Sequence, residues 1–356
     1  MAAKKWFCAG MLAVLVLCLS SSAFAQKLNP TKDKPLILKA SIQSPAGVPF
    51  TDIFYWLLDE IEKRSGRRIK FDRYPGQALA KTAEQVDALQ SGMADIAHFV
   101  TTYTPGKLPL NSVVYLPFTY RGAWVNATAY HQLIKDIPEI NAEYTKNNIK
   151  IISTFGTGPY NLFSTKPIRS IQDLKGKKII ATGPMAELLK AMGAAPLGIV
   201  ITESYEALQR GTADGAVFGP TAGGTYHMEE VCKYLLKIPL AGVVGPAGMN
   251  LDVWNRLPTD LQEMISGLHT EHAKACQVIY QIEGDDKYIN KFKKIGVEIS
   301  EPSEEMMAVT KKVASEQVWN RWAETQEKRG MPGKRTLDKY IELVEKNAKI
   351  DPFMSR

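Results

Sequence analysis

Cysteine is scarce in this chain: four in 356 residues, and two of them, Cys8 and Cys18, fall in an apolar N-terminal stretch. The other two, Cys232 and Cys276, allow one disulfide at most, which excludes a disulfide-stapled scaffold. Both sit in helical patterns, YHMEEVCKYLLK and HTEHAKACQVIY, where a small buried thiol is the ordinary occupant. Histidine is also rare, with five in all. His98, His131 and His227 stand in unrelated contexts, and there is no GxSxG elbow, so no nucleophile has a base beside it. His269, His272 and Cys276 share one helical face at a spacing that could chelate zinc. A second ligand pair is missing and Lys274 adds a positive charge, so the trio reads as facing solvent or a neighbouring helix. Asp214-Gly215 reads as a turn, not a catalytic loop. Neither a metal nor a cofactor is expected, and no glycine-rich phosphate loop occurs.

Long hydrophobic runs are missing beyond the first 25 residues, which excludes a membrane-embedded body. A clustered basic patch is missing too. The formal charge of +7 is scattered, as in Lys63, Arg64, Arg67 and Arg68 or Lys291, Lys293 and Lys294, among acidic neighbours. Without a basic stripe and stacking aromatics, nucleic acid is not an expected partner.

What is present begins with a leader. Lys4 and Lys5 precede an apolar run from Met11 to Leu19 and the sequence Ser-Ser-Ala-Phe-Ala, the pattern of a secretory signal cleaved after Ala25. Leu17 is bulky where a lipid-anchoring motif needs a small residue. The expectation is an exported, periplasmic chain long enough for two domains.

The stretch from Asp173 to Pro220 carries the most information. Lys178 to Thr182 reads as a strand, and Gly183-Pro184 opens a helix where proline is tolerated. Leu188, Leu189 and Met192 keep helical spacing up to Gly193, a left-handed cap. Leu197 to Ile201 reads as a strand, Thr202 as the cap of a helix from Glu203 to Arg210, and Ala213 to Phe218 as a returning strand. Strands alternating with short helices imply a parallel sheet whose ligands bind beyond the strands' carboxyl ends. Upstream, Leu36 to Ser41 opens a first strand, and Phe54, Leu57, Leu58 and Ile61 line one helix face. Gly156-Thr157-Gly158-Pro159 reads as a hinge, and a second crossing is expected near Gly242 to Gly248. Pro258 to Lys294 is an unusually long helical pattern, interrupted near Gly284. Thr336 to Lys346 is a polar terminal helix, expected on the surface or against a partner.

The block DLKGKKI…TGP…LLKAMGAAP…ESYEALQRGTADGA resembles the solute receptors of TRAP transporters, the DctP family. The segments TAEQVDALQSGMADIA, YTPGKLPLNSVVYLPF and NLDVWNRLPTDLQEMI agree in order, and the resemblance covers roughly residues 36 to 330. It implies an α/β fold of two periplasmic-binding-protein lobes, joined by hinge strands and a long lobe-spanning helix. The expected division is 1–25 signal peptide, 26–157 plus about 247–285 lobe I, 158–246 plus about 286–330 lobe II, and 331–356 a C-terminal helix and tail. The implied activity is capture of a small molecule by cleft closure, without catalysis, and delivery to the small and large TRAP membrane subunits. The alternative from another class is a receptor presenting its ligand to a membrane sensor kinase.

The sequence departs from the family at the cleft. Where most such receptors carry a carboxylate-clamping arginine after the GKKI-type strand, this chain has Ile180, and a second family arginine aligns with Tyr160. Thr182, Gly183 and Pro184, at a helix start, are candidates for holding an anionic group. Thr101, Thr102, Tyr160 and Asn161 could add directional bonds, Phe99 and Phe218 an apolar wall, and Asn250 matches a family asparagine. The expected ligand is a small organic acid or sulfonate, possibly aromatic.

Overall fold

A computed structural model describes residues 27–354; the leader expected at 1–25 lies outside them. Eleven strands follow the chain as β1 (Leu36–Ser41), β2 (Ile69–Tyr74), β3 (Ile96–His98), β4 (Ile149–Pro159), β5 (Asn161–Ser164), β6 (Lys178–Ile180), β7 (Ala195–Leu197), β8 (Gly215–Phe218), β9 (Tyr234–Leu236), β10 (Gly242–Asn250) and β11 (Glu298–Ser300). They form two sheets, β2-β1-β3-β10-β4 in lobe I and β11-β9-β5-β8-β6-β7 in lobe II. β1 pairs in parallel with β2 and β3, while β10 enters antiparallel between β3 and β4.

The alternating and helical apolar patterns find their partners. Phe54, Leu57, Leu58 and Ile61, on the helix Pro49–Arg64, pack with Leu38, Ile69 and Ile96 in lobe I. Phe163, Ile180, Phe218, Leu235 and Phe292 fill the core of lobe II. Full burial of such side chains contributes roughly 1.5–3 kcal/mol each.

The chain passes between lobes at residues that determine the site. β4 runs into β5 through Tyr160, and β9 reaches β10 through residues 237–241. These two crossings pair, with Tyr160 N–H donating to Ala241 O and Leu240 N–H to Tyr160 O at 3.1 Å. A third connection is the helix from His269 to Lys294, π-helical over Cys276–Gly284. Gly284 does not interrupt it; the break falls at Gly267-Leu268, after the helix Thr259–Ser266. The glycine is needed there for packing, since a Cβ at 284 would press on Thr221 Oγ1 at 2.7 Å.

The terminal helix, Gly333–Ala348, is amphipathic. Leu337, Tyr340, Leu343 and Val344 are buried in the main core, and Tyr340 Oη accepts from Asn126 Nδ2 at 2.9 Å, on the helix Ala123–Asp136. It is part of the body. Cys232 and Cys276 are both free and buried, Cys232 in the lobe II core and Cys276 on the crossing helix.

Candidate functional site

Between the lobes lies a cleft, partly open to solvent, with a cavity volume of about 40 Å³. Lobe I contributes Gln43 and Ser44 from the turn after β1, Phe50 from the start of the helix Pro49–Arg64, and Val100 and Tyr103 after β3. Lobe II contributes Ile201 at the start of the helix Ile201–Gln209, with Ala222, Thr225 and Tyr226 around the short helix Pro220–Thr225. Thr157, Tyr160 and Val243 come from the hinge strands, and Tyr280 from the crossing helix. Strand ends and helix starts therefore face the space, as parallel sheets arrange them.

The lining contains no charged residue, and five of its members are aromatic. Phe50 meets Tyr280 edge-on, centroids 6.3 Å apart, and Tyr160 stands perpendicular to Phe218 at 6.2 Å. Burial pushes the phenols of Tyr103, Tyr160, Tyr226 and Tyr280 up, so at neutral pH all four are neutral O–H groups. The electrostatic asymmetry comes instead from backbone. The helices Pro49–Arg64 and Ile201–Gln209 begin at the wall, and each N-terminus carries about half a positive charge. The Phe50 and Thr202 amides have no partner among the described residues, whereas Thr51 and Glu203 donate to the Val48 and Val200 carbonyls and Ile201 donates to Tyr103 Oη.

The lobes are closed over this space by hydroxyl groups. Ser44 Oγ lies 3.1 Å from Tyr226 Oη, Thr82 Oγ1 3.2 Å from Thr202 Oγ1, and Thr182 Oγ1 donates to Thr102 Oγ1 at 3.1 Å. Tyr103 Oη accepts from Ile201 N–H at 3.4 Å, leaving its own proton free. Each neutral bond is worth only about 0.5–1.5 kcal/mol net, so together they favour closure without locking it.

Of the ten residues singled out from sequence, Tyr160 alone lines the cavity. Thr182 and Thr102 meet each other across the cleft, and Gly183 and Pro184 line a separate surface groove with Arg321 and Trp322. Gly183, at φ +56°, lets the chain approach Thr102, whose Cγ2 would sit 2.9 Å from an added Cβ. Phe218 stands behind Tyr160, and Asn161 Nδ2 donates to Pro159 O at 3.2 Å. Phe99 is core, packed edge-on to Tyr144, and Thr101 is buried at 1% exposure. Asn250 is a helix cap: its Oδ1 accepts from Asp252 and Val253 amides, and its Nδ2 donates to Leu89 O at 2.7 Å. Thr202 lies inside its helix, not at the cap.

The turn after β1 and the loop after β3 carried a usable signal, because both follow parallel strands. Tyr280 carried none. Ile180 is fully buried in the lobe II core and is not among the residues that line the cavity. His269, His272 and Cys276 are buried, not solvent-facing, and Ser153 Oγ lies 2.8 Å from His272 Nδ1 and 3.2 Å from His269 Nδ1.

Comparisons with known proteins agree with this fold. Over 225 residues the chain is 29% identical to a solute-binding protein of Albidiferax ferrireducens, covering 60% of this chain and 64% of that relative, just under two thirds of its length. The structure superposes with a TM-score of 0.82 on a TRAP solute-binding protein of Rhodoferax ferrireducens in complex with copurified benzoate, at 23% identity and 88% and 99% coverage of the two chains. A TRAP periplasmic solute-binding protein of a Sulfitobacter species with bound β-D-galacturonate gives 0.74, at 16% identity and 86% and 99% coverage. Among the described residues no helix is long and apolar enough to cross a membrane. The family of bacterial extracellular solute-binding proteins, family 7 (DctP), matches residues 43–326, and the chain belongs to it.

Proposed function

We propose that this protein is the extracytoplasmic receptor of a TRAP uptake system and that its solute is a small aromatic monocarboxylate. The observation that carries the reading is a charge-free, aromatic-walled cavity with the N-termini of two helices at its wall. A single carboxylate can be neutralised there by helix amides and phenol donors, whose combined potential replaces a guanidinium. A second carboxylate would be buried without a counter-charge, which costs several kcal/mol. A uronic acid would place its many hydroxyls against Phe50, Val100, Ile201, Val243 and other apolar surface, with too few partners. The benzoate in the Rhodoferax relative supports the same choice. Closure around the acid then creates the face that the small and large membrane subunits accept.

Calorimetric titration of the purified protein with benzoate, phenylacetate, succinate and galacturonate tests this. The expected result is micromolar or tighter binding of an aromatic acid and none of succinate. Tight binding of succinate or galacturonate, with no response to either aromatic acid, overturns it.

A further inference from the structure

Gln43 stands out in the cavity wall. It is 4% exposed, it lines the space, and its Oε1 is buried with no hydrogen-bond partner among the described residues. Gln85 and Gln326 also leave a buried Oε1 without a partner among the described residues, but neither lines this cavity, and Gln277 Oε1 accepts from Trp124 N–H at 3.0 Å. Nor can the loop turn Gln43 outward at will. Ile42 N–H donates to Tyr74 O at 3.1 Å, Ile42 O accepts from Gln77, and Ser44 O accepts from Gly76 at 2.8 Å. The backbone on both sides is held, which keeps Gln43 in the cavity lining. An unsatisfied buried amide is costly, and half a turn about its last bond exchanges O and N without changing its shape.

We infer that the solute carries, besides its carboxylate, a hydroxyl group that pairs with the Gln43 carboxamide. A hydroxyl donates one hydrogen bond and accepts others, the neutral complement of a group that holds both an acceptor and a donor. On the reading proposed above the carboxylate is held by the Phe50 amide and the phenol donors, so Gln43 reads the second substituent. This rests on the aromatic-acid reading above for the ring, though not for the hydroxyl.

The test is calorimetric titration with matched pairs: benzoate and 3-hydroxybenzoate, phenylacetate and mandelate, propionate and lactate. In at least one pair the hydroxylated acid should bind about tenfold more tightly or better. In Gln43→Met the ratio should fall below about threefold, chiefly through weaker binding of the hydroxylated member. Should that variant fail to fold, Gln43→Asn, which draws the amide back by one methylene, should narrow the ratio likewise. Equal or tighter binding of the plain acids overturns the inference, as does a ratio that survives both variants. A Gln43-dependent preference seen only with lactate would uphold the hydroxyl reader and overturn the aromatic solute. No binding of any of the six overturns both.

Discussion

Gly158 lies directly against the carboxylate of Asp285, so that a Cβ on Gly158 would overlap Oδ2. The glycine belongs to a hinge strand and the aspartate to the crossing helix, while Asp285 Oδ1 accepts from Thr221 N–H at 3.1 Å and Oγ1 at 2.6 Å. One buried carboxylate thus joins the hinge, the crossing helix and the segment that carries Ala222 and Thr225 into the cavity wall.

Gly158→Ala should therefore disturb both fold and site. The carboxylate cannot retreat without losing Thr221, so a loss of about 1–3 kcal/mol is expected, the usual penalty for overpacking. Urea denaturation would show it, together with weaker acid binding. A variant with unchanged midpoint and affinity would mean that Asp285 moves freely.

Acid should unfold the protein through its buried imidazoles. His131 is pushed down to about 3 and His272 to about 4, both mainly by burial, and His98 and His269 also lie well below the usual range. The unfolded chain takes up these protons near pH 6.5 while the folded one does not, so stability falls as the pH drops from 6.5 towards 4. Each imidazole contributes up to about 1.4 kcal/mol per pH unit. Asp285 acts in the opposite sense: burial raises it from 3.8 to about 7, so it takes up a proton on folding across that window. Asp285→Asn should steepen the acid loss measured by denaturant midpoints between pH 7 and 4. A shallower loss would contradict the assignment.

Closure should depend on bonds remote from the solute. Thr202→Val removes the contact with Thr82 without touching the cavity lining. The expected effect is a two- to tenfold loss of affinity for the most tightly bound aromatic acid, about 0.5–1.5 kcal/mol, seen mainly as faster dissociation. An unchanged dissociation rate in stopped flow would exclude a role for this pair.

Restoring the family arginine should fail. Ile180 is fully buried among Phe163, Phe218 and Phe292, so Ile180→Arg places a charge in an apolar core. A loss of about 3 kcal/mol or more is expected, with no gain of succinate binding. A stable variant that bound succinate would show that this strand position does reach the cleft.

The sequence by itself determined most of the strands and helices, which follow from local periodicity and from glycine and proline placement. The two-lobed arrangement and its crossing helix were implied by the family resemblance, and Gly156 to Pro159, read as a hinge, continue the strand β4. Its site residues fared differently, because a cavity is made by residues distant along the chain. Ser44 and Tyr226, 182 positions apart, meet across the cleft. Side-chain direction also waited for the tertiary structure: Phe99 turned to the core, Asn250 to a helix cap, and Tyr280 arrived at the wall from a helix with no sequence mark of ligand binding. Periodicity says which residues share a face. Which face meets the solute is decided by how the two lobes pack.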